Sequence, residues 1–154
     1  MTQNLWTSFF GEGLKYYNEL KDFGEDSYGF VYKITHEPSK KFYIGKKILQ
    51  NNVKHKLTKK QLAELSGPGR KPKTETLQKE SNWKTYWGSN KEFVEFIKNN
   101  NKEEFKREIL HICNSKLDLT YWETHYLFVN KVLFDPLSFN KNLLGKFYTG
   151  KVGK

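Results

Sequence analysis

Apolar and polar positions change their period several times along the chain, and each change marks an element. Residues 28–32 (Tyr-Gly-Phe-Val-Tyr) and 42–45 (Phe-Tyr-Ile-Gly) are strand-length runs of aromatic and β-branched residues. His36-Glu37-Pro38-Ser39-Lys40-Lys41 between them supplies proline and polar turn formers, so the pattern predicts a hairpin. Residues 105–113 alternate Phe105, Arg107, Ile109, His111 and Cys113 against Lys106, Glu108, Leu110 and Ile112, which predicts a third strand.

Helical spacing appears in four places. Leu14, Tyr16, Tyr17 and Leu20 permit a short amphipathic helix over residues 12–21. Thr58 and Gln61 have capping-box spacing and open a brief helix, which Ser66-Gly67-Pro68-Gly69 ends. Ser89 and Glu92 would cap a helix that buries Phe93, Val94, Phe96 and Ile97. Leu119, Trp122, Tyr126, Val129 and Leu133 define the clearest helix, over residues 117–133, which Asp135-Pro136 closes.

These elements predict an α+β domain in which a three-stranded antiparallel sheet is flanked by helices, with any site on one face of that sheet. The domain would run over residues 28–147, with a basic inserted loop at about 50–80. An aromatic-rich extension, 1–27, would pack on the core, although the same aromatics would serve a homodimer contact. Residues 148–154 read as a basic tail.

At 154 residues one core suffices. Lys+Arg of 27 against Asp+Glu of 17 gives a net charge of +10, which makes a polyanion, nucleic acid foremost, the expected partner. No apolar run approaches the roughly 18 residues of a membrane-spanning helix, and the amino terminus lacks a basic start followed by an apolar stretch, so a soluble intracellular chain is expected. The single cysteine, Cys113, excludes an internal disulfide and fits a buried strand thiol. With His111 and His125 it makes no zinc spacing.

Lys46, Lys47, Lys54, Lys56, Lys59, Lys60, Arg70, Lys71 and Lys73 are placed to neutralise phosphates without reading sequence. Trp83, Tyr86 and Trp87 could stack on bases or sugars, or Trp83 and Trp87 could instead fix the start of the next helix as core residues. Glu123 with Thr120 has capping-box spacing, so a helix cap is an alternative to a functional carboxylate.

The order of these pieces resembles the GIY-YIG nuclease superfamily from about residue 28 to 147. Phe30-Val31-Tyr32 stands at the first tripeptide, Tyr43-Ile44-Gly45 is an intact second one, Glu123 lies on a late helix, and Asn140 follows it in Ser138-Phe139-Asn140. More narrowly, Tyr43-Ile44-Gly45-Lys46-Lys47, the 81–89 run Ser-Asn-Trp-Lys-Thr-Tyr-Trp-Gly-Ser and Phe105-Lys106-Arg107-Glu108-Ile109-Leu110 resemble the small homing-type, Seg-like endonucleases of T-even-like bacteriophages. Phe30 departs from the usual glycine, and Val53 stands where the family carries a catalytic arginine. Arg70 or His55, or a nearby lysine, would substitute for it.

The resemblance implies a DNA endonuclease acting in the cytoplasm of a bacterial host. Tyr32 would be the general base, its phenol lowered from an ordinary pKa of about 10 by lysines and a metal ion. Tyr43 would hold the water or phosphate, Arg70 or His55 the non-bridging oxygens, and Glu123 a single Mg2+ for which Mn2+ can substitute. Asn140 would orient Glu123 or the substrate. Two other classes share these residues: a DNA-binding module whose catalysis has decayed, and a phage inhibitor docking on an acidic host protein.

Overall fold

The computed structural model describes residues 4–11 and 13–153. In chain order the elements are β1 (Trp6–Phe9), β2 (Leu14–Tyr17), β3 (Gly29–His36), β4 (Phe42–Ile48), β5 (Gln50–Lys56), α1 (Lys59–Glu64), β6 (Thr74–Glu80), α2 (Lys91–Lys98), β7 (Phe105–Cys113), α3 (Lys116–Val129), β8 (Asn142–Leu143) and β9 (Phe147–Tyr148). The chain divides into two compact units: Gln50–Ser81, and Met1–Leu49 together with Asn82–Lys154.

The larger unit is built on a five-stranded sheet of order β2-β1-β7-β3-β4. The expected antiparallel trio β7-β3-β4 lies within it, but β1 joins β7 in parallel, pairing Trp6 with Arg107 and Thr7 with Glu108. The sheet is therefore mixed and wider than expected. The helix expected over residues 12–21 does not form, and residue 12 itself lies outside the described residues. Gly11 and Gly13 take φ of +67° and +130°, left-handed values that suit a hairpin turn and interrupt a helix. Ser8 and Tyr17 then share a 2.8 Å hydroxyl hydrogen bond across β1 and β2, and Trp6 and Tyr17 turn into the core.

Strand alternation sends Phe30, Tyr32 and Ile34 to one side of the sheet, where they pack with Trp6, Trp83 and the Phe93 and Ile97 of α2. Val31, Ile44 and Cys113 face the other side, beneath Leu119 and Leu127 of α3. Ser115 caps α3 by accepting from the Asp118 amide at 3.1 Å. The helix ends at Val129, before the expected residue 133, because the chain turns through Lys131 at φ +48°; Val132 and Leu133 are buried beyond it. The cap of α2 is Asn90, whose side chain accepts from the Phe93 amide at 2.9 Å, not Ser89.

The smaller unit replaces the expected loop with a two-stranded antiparallel ribbon, β5 and β6 pairing from Gln50 with Glu80 to Lys56 with Thr74. The α1 turn follows β5 and carries the expected Thr58–Gln61 capping box. No apolar face announces this ribbon, since every β5 residue is exposed. Among the described residues no helix is long and apolar enough to cross a membrane.

Candidate active site at the β4 edge

The β3–β4 register sets Tyr32 opposite Gly45. The Tyr32 ring lies across that glycine: a Cβ on Gly45 would come within 2.7 Å of Tyr32 Cζ, so only a residue without a side chain fits. Tyr32 is wholly buried, with ring centroids of Trp6, Tyr86 and Tyr43 at 5.2, 5.8 and 6.3 Å, and the Tyr86 phenol is the group placed to hydrogen-bond its hydroxyl. Burial raises its pKa well above the usual phenol value, and the nearby Tyr86 and Tyr43 phenols and the Glu123 carboxylate add to the effect. The expected lowering by cations is therefore reversed in the free protein.

Tyr43 shares this face and is only partly buried; its hydroxyl hydrogen-bonds that of Ser89 at 3.2 Å. Burial raises its pKa, opposed by the Ser89 bond. Gly88, at φ +102°, passes over both phenols; a Cβ there would sit 3.3 Å from the Tyr43 ring and 3.7 Å from the Tyr32 oxygen.

β4 is an edge strand, and its alternation divides two lysines between the faces. Lys46 points toward α3, its Nζ 3.5 Å from Glu123 Oε1 and donating to Thr120 Oγ1 at 3.2 Å. Glu123 is mid-helix, so the cap alternative fails. Burial raises the Glu123 pKa and Lys46 opposes the shift. Lys47, on the tyrosine side, donates to Asn82 Oδ1 at 2.6 Å and lies 4.2 Å over the Tyr86 ring; partial burial lowers its pKa.

Asn140 is tied down differently from expectation. Its Oδ1 accepts from the Ile44 amide at 3.0 Å and its Nδ2 donates to the Ile44 carbonyl at 2.8 Å, so the buried side chain acts as a short extra strand along β4. It positions Tyr43-Ile44-Gly45 rather than Glu123. Tyr43, Glu123 and Asn140, with Asn90 and Asn142, line one polar cleft of about 190 Å³. The site thus wraps around the β4 edge instead of occupying a single face.

Other candidates fall elsewhere. His55 stands on β5, 3.5 Å from Glu75, and Arg70 is exposed ahead of β6; both belong to the smaller unit with Lys54, Lys56, Lys59, Lys60, Lys71 and Lys73. Trp83 is wholly buried, its carbonyl accepting from Trp6 Nε1 at 2.7 Å, which corrects the stacking role to a core role. Arg107 is sandwiched at 4.6 Å between Trp6 and Trp87 and donates to the Tyr86 and Asn4 carbonyls. Burial brings its pKa down to about 10. Burial likewise pushes the Cys113 thiol up to about 11, as an inert core thiol requires. Sequence reasoning missed Ser89 and Asn82 as partners of site residues; the capping pattern had claimed Ser89.

Among the described residues no three His, Cys, Asp or Glu side chains cluster as metal ligands. A lone carboxylate in a polar cleft fits Mg2+, which keeps much of its water, and not zinc.

The chain belongs to the SegE-type GIY-YIG family: the family model described as "Putative endonuclease segE, GIY-YIG domain" matches residues 14–150. No curated protein and no solved structure matches the chain.

Proposed function

We propose that this protein is a metal-dependent DNA endonuclease that hydrolyses phosphodiester bonds, phage-encoded and of homing type. The observation that carries the proposal is the juxtaposition of the buried Tyr32 phenol with Tyr43 over Gly45, at the strand edge where Lys46 meets Glu123.

In the mechanism, displacement of the Gly88-Ser89 segment frees the Tyr43 hydroxyl and admits a water to Tyr32. The phenolate oxygen of Tyr32 takes a proton from that water as its oxygen attacks phosphorus. The opposite phosphorus–oxygen bond breaks and its oxygen takes a proton from solvent. Tyr43 and the ammonium group of Lys47, on the same face of β4, hold the non-bridging oxygens, Lys47 filling the role of the missing arginine, while Lys46 stays paired with Glu123. Magnesium bound at Glu123 would supply Lewis-acid polarisation and stabilise the leaving oxygen. Asn140 keeps the β4 edge in register throughout.

Supercoiled plasmid incubated with Mg2+ or Mn2+ tests the proposal. Conversion to nicked or linear forms, lost in Glu123→Ala, is expected. Intact plasmid with strong gel retardation would identify a DNA-binding module instead, and salt-sensitive capture of an acidic protein without DNA affinity an interaction protein.

A further inference from the structure

We infer that the β5–β6 ribbon reads base sequence in the DNA major groove through one of its two faces. The inference rests on the nuclease proposal only for the polymer involved.

Opposed residues of an antiparallel pair share a face. The observed register therefore gathers Gln50, Asn52, Lys54 and Lys56 of β5 with Thr74, Thr76, Gln78 and Glu80 of β6 on one side. All of them can hydrogen-bond and none is apolar. The reverse side differs, with Val53 opposite Leu77 and His55 paired to Glu75 at 3.5 Å. The first face offers what base edges in the major groove require: amides match adenine bidentately, lysine meets guanine, and threonine supplies a methyl and a hydroxyl.

Charge and shape agree. The unit Gln50–Ser81 carries eight Lys and Arg against three Glu, a net charge of +5, half that of the chain. Two strands about 4.8 Å apart fit a major groove about 12 Å wide, the groove whose base edges distinguish all four pairs. All β5 residues and all β6 residues except Glu75 are exposed. A two-stranded ribbon this bare is marginal alone and gains from a partner surface. Lys59, Lys60, Arg70, Lys71 and Lys73, which lie between the strands in sequence, would take the flanking phosphates.

The test uses the full-length chain to select from a random-sequence duplex library by binding, so that catalysis is not needed. The wild type should enrich a motif. Asn52→Ala/Gln78→Ala should lose preference about tenfold at one or two positions of that motif while retaining affinity for mixed-sequence DNA. Val53→Thr/Leu77→Thr should enrich the wild-type motif, and 7-deazapurines at the enriched positions should weaken wild-type binding. An unchanged motif in the Asn52→Ala/Gln78→Ala variant, or no motif in the wild type, overturns the inference. A motif without plasmid cleavage supports it and removes the nuclease proposal; cleavage without a motif does the reverse.

Discussion

Tyr32 is held protonated by its surroundings, so any work it does as a base must be driven by pH or by substrate. Because its pKa is raised, the phenolate fraction at neutral pH is small and grows tenfold with each unit. Single-turnover cleavage should accordingly rise by about tenfold per unit over roughly pH 6 to 9. A flat profile would remove proton transfer to Tyr32 from the rate-limiting step. The cation is tested side by side: Lys47→Ala should slow cleavage at least tenfold, by order of magnitude, while His55→Ala and Arg70→Ala leave it near wild type. The motif singled out Tyr32, Tyr43 and Glu123 as candidates, and the fold brings Tyr43 and Glu123 to one cleft with Tyr32 beside Tyr43. The sign of the Tyr32 shift was not, because it depends on how completely Trp6, Tyr86 and Gly88 enclose the ring, and that enclosure arises from distant segments.

Among the elements, the β4 edge organises the site, and Asn140 and Gly45 are its two conditions. Asn140→Ala would leave the Ile44 amide and carbonyl unpaired, destabilising the protein by about 2 kcal/mol or more in denaturant melts and impairing cleavage. An undiminished midpoint would show that the β4 edge holds without it. Gly45→Ala should push the Tyr32 ring from its place, costing roughly 1–3 kcal/mol and most activity. The β3 and β4 strands were readable as short aromatic and β-branched runs, and β7, α2 and α3 by their periodicity. β1 and β2 were not: Leu14 and Tyr16 are exposed, and what makes the strands is turn geometry at Gly11 and Gly13 with a parallel pairing to β7 a hundred residues on. β5 and β6 bury no face at all, so periodicity had nothing to register.

At the scale of the whole molecule, a net charge of +10 is shared between a unit that holds Tyr32, Tyr43 and Glu123 and a ribbon rich in lysine. Replacing Lys59, Lys60, Lys71 and Lys73 by Ala should lower the slope of log affinity against log salt by about 3.6, because each lost phosphate contact removes about 0.9. An unchanged slope would place those lysines off the DNA. The most direct measurement is plasmid cleavage by Tyr32→Phe compared with the wild type at matched DNA affinity, alongside thermal melting. Removing this one hydroxyl, with the buried ring kept in place, should leave the melting temperature within a few degrees of wild type and cut the cleavage rate about a hundredfold or more. Cleavage at the wild-type rate by that folded variant would contradict the account.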